Sequence, residues 1–238
     1  MLWKDGKKKA LTLSYDDGTI HDRRFIDMLN KYGIKCTFNL ISGVFRDDHF
    51  EVDYSETPIE DHKWVIVAKD EVGKLYEGHE VASHTVTHPR MNALSFDEVK
   101  TEVNDDRKVL KELTGYEING FAYPWGEYDD QLIQRLDSLG IVYARNVEDR
   151  QDFSIPENFL SWNPTCHHDN PDLINLFNKF IESDNEGELF YLWGHSFELY
   201  INNNWDVLEE FFKLVSLHKD EIWFATNMEI YNYVKENK

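Results

Sequence analysis

Hydrophobic and polar positions along the chain change rhythm in a repeating order. "KALTLSY" (9–15) reads as a buried strand, and "DRRFIDMLNKYG" (22–33) follows with Phe25, Met28, Leu29 and Tyr32 at helical spacing and Gly33 as a stop. "IKCTFNL" (34–40) predicts a second strand, residues 69–78 a helix ending at Gly78, and "HEVASH" (79–84) a third strand. Ser95 and Glu98 form a capping-box pattern, and the helix they open turns Phe96, Val99, Val103, Leu110 and Leu113 inward before Gly115. "INGFAYP" (118–124) and "IVYARNV" (141–147) read as strands around a helix (129–140) that presents Leu132, Ile133, Leu136 and Leu139. "ELFYLWGHS" (188–196), a helix over 205–220 and "EIWFAT" (221–226) complete the alternation. Residues 43–63 and 148–172 lack a clear period and read as long loops.

Strands alternating with helices imply βαβ units and a parallel sheet. The number of units points to a barrel, although periodicity by itself does not separate a barrel from an open sheet. No repeat, linker or compositional break divides the chain, so one domain over residues 1–238 is expected.

Composition narrows the picture. At 238 residues with 41% apolar and 14% aromatic residues, the chain can bury a substantial core without staples. Forty-five acidic residues against 25 basic ones give a formal charge of −20, a field that repels phosphate backbones and anionic lipid. Nucleic acid and membrane are therefore not expected as partners. Two cysteines, Cys36 and Cys166, make no disulfide framework, and Cys36 lies in a core-type run. The N-terminus lacks a long apolar segment and no stretch approaches the ~20 apolar residues of a membrane span, so a cytoplasmic location is expected, a trimmed secreted form remaining the alternative.

In parallel α/β folds, functional groups gather at the carboxyl ends of strands. Four such ends carry unusual residues here: Asp16 and Asp17 before Gly18; His84 and His88 in "SHTVTHP"; "AYPWG"; and His195 in "WGHS". Each has an ordinary reading too, as a turn, a surface histidine pair, a core aromatic or a satisfied core histidine. His84 and His88, four apart, would share a face if they formed a helical turn, which Pro89 would keep short. Two histidines with a carboxylate from the first strand would make a metal set with positions left for water and substrate.

In this order and at these spacings, "LTLSYDDG", "HEVASHTVTHP", "FAYPWG" and "LWGHS" resemble the polysaccharide deacetylase family, carbohydrate esterases with a NodB-type domain. The resemblance runs from about residue 10 to 226 and implies a distorted (β/α)7-type barrel. It implies Asp16 as general base, Asp17, His84 and His88 as ligands of one divalent cation, usually zinc, and His195 as general acid. Trp125 takes a place commonly held by Tyr, where the backbone N–H helps hold the oxyanion, with Tyr123 beside it. The implied partner is an acetylated carbohydrate or small acetylated molecule. Two features depart from the family pattern. Ala122 stands where many members carry an Arg that braces the base, and residues 148–162 show no clean match to the Asp-and-Trp motif that orients the acid histidine and lines the substrate pocket. Trp162 or Asp149 are the candidates for that second place. Two other readings stay open: hydrolysis of a non-sugar C–N bond in the same barrel superfamily, and a non-catalytic, metal-stabilised glycan-binding barrel.

Overall fold

Alternating strand and helix patterns produce an all-parallel sheet in the computed structural model, which describes residues 1–47 and 58–237. The strands among the described residues are β1 (Lys9–Asp17), β2 (Thr37–Leu40), β3 (Glu80–Ser83), β4 (Gly120–Ala122), β5 (Tyr143–Arg145), β6 (Cys166–His167), β7 (Glu188–Gly194) and β8 (Ile222–Phe224). They lie in the order β5-β4-β3-β2-β1-β7-β6, with β8 paired to Lys9–Leu11 of β1. Helices α1 (Asp22–Tyr32), α2 (Val72–Leu75), α3 (Phe96–Thr114), α4 (Asp130–Ser138), α5 (Leu173–Glu182), α6 (Ser196–Ile201), α7 (Trp205–Ser216) and α8 (Asn227–Asn237) fill the connections.

One extended segment joins the two edges. The Trp162 N–H donates to the Ala144 carbonyl at 2.9 Å and the Asn146 N–H to the Trp162 carbonyl at 3.1 Å. Four residues later Cys166 and His167 pair with β7 at Leu192 and Trp193. Residues 162–168 therefore lie against β5 at one end and β7 at the other, and the sheet closes into the distorted (β/α)7-type barrel.

The period-2 geometry of β1 divides two environments. Leu11, Leu13 and Tyr15 enter the main apolar cluster with α1, α5 and α7. Thr12, Ser14 and Asp16 enter a buried polar network instead. Thr12 Oγ1 donates to Asn227 Oδ1 at 2.8 Å, Asn227 Nδ2 to the Tyr191 hydroxyl at 2.6 Å, and Asn39 Nδ2 to Ser14 Oγ at 2.7 Å. Buried polar groups in a low-dielectric interior are tolerated only when paired in this way.

Several elements differ from expectation. The helix expected over 69–78 is one α-turn, α2, preceded by a 3-10 turn at Lys69–Glu71. Gly73 in α2 sits so close to α3 that a Cβ would meet the Leu113 carbonyl oxygen at 2.4 Å. The capping box of α3 forms as expected, with Ser95 N–H donating to Glu98 Oε2 at 2.7 Å and Glu98 N–H to Ser95 Oγ at 3.4 Å. Phe96, expected inward, is exposed because it occupies the first helical position, before the stripe of Val99, Val103 and Leu110 reaches the core. The irregular stretch 148–172 contains β6 and half of the barrel closure, and residues 48–57 of the other expected loop lie outside the described residues. Both cysteines are buried free thiols.

Trp162 is 1% exposed and packs edge-on against Tyr143 and Phe159 beside Tyr191. Trp162→Ala is expected to lower the unfolding free energy by about 3–5 kcal/mol, measured by urea denaturation.

Candidate active site

The C-terminal ends of β1, β3, β4 and β7 converge on one cavity of about 660 Å³. Its wall includes Asp16, Asp17, His84, His88, Tyr123, Trp125 and His195, with Ile41, Val44, Ile66, Val147 and Phe197 as apolar neighbours. The backbone here is bent sharply. Asp17 (φ 78°), Thr85 (φ 71°), His88 (φ 55°) and Trp125 (φ 62°) are all left-handed non-glycine residues. Each such conformation typically costs of order 1–3 kcal/mol and persists only where the surroundings impose it. No helical turn forms over His84–His88, and the two histidines meet across a loop with Thr85 and His88 in the left-handed region. Glu102 of α3 holds that loop by accepting from Val86 N–H and Thr87 N–H, each at 2.9 Å, and from Thr87 Oγ1 at 2.7 Å.

Asp17, His84 and His88 each bring a ligand-type atom within 4.8 Å of the others. The His84 ring Nδ1 lies 2.8 Å from the Ala122 carbonyl oxygen. A carbonyl only accepts, so Nδ1 carries a proton, and Nε2 faces Asp17 Oδ1 at 3.7 Å. A tautomer locked by a backbone carbonyl is the usual support of a metal-binding histidine. Burial and the neighbouring His84 push the His88 imidazole down to about 3, which leaves it neutral. Burial raises the Asp17 carboxyl, an effect that the histidines oppose and that a cation would reverse. The donor set, two imidazoles and one carboxylate beside an open cavity, fits a divalent cation such as zinc.

Asp16 lies on the other face of β1, with a different partner. Its Oδ2 accepts a hydrogen bond from Arg145 Nη2 and its Oδ1 accepts from Asn39 Nδ2 at 2.7 Å. Burial alone would raise this carboxyl, but the guanidinium, with His84 and His195, brings it down to about 2. Arg145, itself fully buried, stacks over Trp193 at 4.8 Å, and Trp193 Nε1 donates to Asp149 Oδ1 at 2.8 Å. Ala122 leaves the brace of Asp16 to a different strand, and β5 supplies it.

His195 places Nε2 4.0 Å from both Asp16 Oδ2 and Asp17 Oδ2, while Nδ1 lies 3.1 Å from Glu198 Oε2, one turn along α6. Burial opposes its protonation, yet Glu198, Asp17 and Asp16 together raise it to about 9. Glu198 also accepts from His167 Nε2 at 3.0 Å. Asp149 reaches Trp193 and the His167 N–H, and Glu198 is the carboxylate facing His195.

The structure thus brings Asp16, Asp17, His84, His88, Tyr123, Trp125 and His195 together. Trp125 is 56% exposed at the rim, its Nε1 donating to the His88 carbonyl at 3.2 Å. Tyr123 is buried, its hydroxyl donating to the Leu160 carbonyl at 2.7 Å. Trp162 stands apart, in the core beside β5. Arg145, Asn39 and Glu198 escaped the sequence reading. The first two carry a weak signal, a polar residue inside a core-type strand, and Glu198 carries only its spacing of three from His195.

The polysaccharide deacetylase family profile matches residues 4–144, more than half of the chain, and the chain belongs to this family. The peptidoglycan-N-acetylmuramic acid deacetylase PdaC of Bacillus subtilis is 25% identical over 150 residues, 62% of this chain and 28% of that protein. Chitin deacetylase 1 of Cryptococcus neoformans is 27% identical over 138 residues, 57% of this chain and 25% of that protein. The chain spans about a quarter of the length of these curated relatives. The crystal structure of a putative polysaccharide deacetylase from Mycobacterium smegmatis superposes with a TM-score of 0.70 at 16% identity, covering 100% of this chain and 93% of the other, a likeness of fold.

Arg145→Met is expected to leave Asp16 as an unpaired buried charge and to destabilise the metal-free protein by about 3–5 kcal/mol, read by thermal unfolding in chelator. The pair also has a pH signature. Asp16, near 2 in the folded state against 3.8 as a free side chain, contributes stability that is present above pH 4 and lost as pH falls towards 2. That contribution, about 2 kcal/mol, is expected to vanish from the acid limb of the Arg145→Met stability curve.

Proposed function

We propose that this chain is a metal-dependent deacetylase that hydrolyses N- or O-acetyl groups on a carbohydrate. The observation that carries the reading is the convergence of Asp17, His84 and His88 beside an open cavity, with the His84 tautomer fixed by Ala122. Membership of the deacetylase family supports the reaction class.

A divalent cation held by these three residues supplies Lewis-acid polarisation of the acyl oxygen and a water that ionises near neutral pH. The remaining steps belong to the chain. Asp16 accepts the proton of the attacking water. Arg145 and Asn39 fix its carboxylate towards the cavity and keep it ionised, which favours availability over basicity. The Trp125 main chain, bent to φ 62° at the cavity wall, offers its N–H to the developing oxyanion, a donor typically worth about 3 kcal/mol. His195, kept cationic by Glu198 and by the two aspartates, gives its proton to the leaving nitrogen or oxygen. Glu198 thus takes the orienting place for which Trp162 and Asp149 were the candidates, and Asp149 acts one step further out by holding Trp193 against Arg145. Trp125 and Phe197 frame the mouth, where a sugar ring would lie against aromatic surface.

Acetate release from acetylated chito-oligomers is expected from zinc-loaded protein and not after chelation. Asp16→Asn is expected to keep bound zinc by elemental analysis while losing about 10²- to 10⁴-fold in kcat. A variant that keeps full turnover would remove the base assignment. Glu198→Gln is expected to slow amide hydrolysis far more than hydrolysis of p-nitrophenyl acetate, whose leaving group needs no proton. Equal losses on both substrates would instead mark Glu198 as structural.

A further inference from the structure

A second cluster of ligand-type side chains lies behind His195, where the chain leaves β6. His167, His168 and Asp169 each offer a ligand atom within 4.8 Å of the others. His168 is 5% exposed and stacks on Tyr15 at 5.5 Å, yet neither ring nitrogen makes a hydrogen bond. Its Nδ1 side is closed by Gly194, where a Cβ would meet Nδ1 at 1.9 Å. Its Nε2 faces two carboxylates, Asp169 Oδ1 at 3.3 Å and Glu198 Oε2 at 3.6 Å, without hydrogen-bond geometry to either. Glu198 Oε2 in turn lies 3.0 Å from His167 Nε2.

These spacings have a physical meaning. Ligands bound to zinc at about 2.0–2.1 Å in a tetrahedron stand about 3.3 Å from one another. The 3.3 and 3.6 Å from His168 Nε2 to the Asp169 and Glu198 oxygens lie at or near that edge. The Asp169 carboxylate is already oriented from behind, accepting from Asn202 Nδ2 at 2.7 Å and from Asn204 Nδ2 at 2.5 Å. Supporting amides of this kind are what a ligating carboxylate requires. Two neutral imidazoles and two carboxylates balance a divalent charge, and the nitrogen content selects zinc, cobalt or nickel over calcium or magnesium.

We infer that His167, His168, Asp169 and Glu198 form a second divalent transition-metal site beside the one built from Asp17, His84 and His88. His167 is the ligand that must rearrange. Its Nδ1 accepts the Asp169 N–H at 3.2 Å and its Nε2 donates to Glu198, so it exchanges a hydrogen bond for the cation. His168 and Asp169 need no such exchange. The site stands independently of the reaction proposed above. One consequence rests on that reaction: a cation that draws on Glu198 competes with His195 for the same carboxylate, so filling this site slows turnover.

Equilibrium dialysis of the full chain against Zn²⁺, with bound metal counted by elemental analysis, tests the inference. The wild type is expected to bind two equivalents, and Asp17→Ala/His84→Ala is expected to keep one. In that background, Asp169→Asn is expected to weaken the remaining site about 10- to 100-fold, and His168→Ala to abolish it. Asp169, at 29% side-chain exposure, keeps the test intact if the buried His168 variant fails to fold. A folded Asp17→Ala/His84→Ala chain that binds no zinc overturns the site. So does a residual equivalent unaffected by Asp169→Asn, which is adventitious surface binding. A wild type whose single equivalent is lost in Asp169→Asn but not in Asp17→Ala/His84→Ala supports this site and overturns the first one.

Discussion

The ion pair between Arg145 and Asp16 is the constraint around which the barrel mouth is organised. Both side chains are buried, so the desolvation of two charges must be repaid by contacts of good geometry. Asn39 occupies the other oxygen of Asp16, Trp193 covers the guanidinium, and Asp149 fixes Trp193. The pair also spans the sheet, because β5 is an edge of the strand order and β1 lies near its middle. It therefore acts across the interior as a tie between elements that share no backbone hydrogen bonds. Removing either charge leaves the other stranded in a medium that solvates it poorly.

The same interior continues downward as a polar network. From Asp16 it passes through Asn39 to Ser14, and a further stretch runs from Thr12 through Asn227 and Thr37 to Glu80. Glu80, 8% exposed at the opposite end, accepts from Tyr143 at 2.6 Å, from Thr37 at 2.8 Å and from the Met228 N–H at 2.9 Å. A purely apolar barrel interior would pack without directional demands. This one specifies a single arrangement of side chains, and the carboxylate at its upper end inherits that definition.

Most strands and long helices were legible because burial writes a period into the sequence, as in the Val99–Val103–Leu110 stripe of α3 and the unbroken run of β1. Asp16, Asp17, His84, His88 and His195 were legible because they sit where strands end. The remainder depends on contacts distant in sequence. Arg145 reads locally as one charge in a strand, and its partner lies 129 positions away. The closing segment has no period of its own because it forms only one bridge to β5 and two pairings to β7. Trp162 looked like pocket lining because tryptophan serves both roles, and only its neighbours Tyr143 and Phe159 assign it to the core. Helix α5 does carry the spacing, in Leu173, Leu176, Phe177 and Phe180, but follows directly on the irregular stretch that concealed β6.

The left-handed loop that carries His84 and His88 is held by Glu102 and by the Thr85 hydroxyl, which accepts from the His88 N–H at 3.0 Å, and neither clamp uses a histidine ring nitrogen. Shape and reactivity are therefore separable in inheritance. A descendant could shed an imidazole and keep the whole contour of the cleft. Barrels of this design can in that way fall chemically silent without passing through a misfolded ancestor.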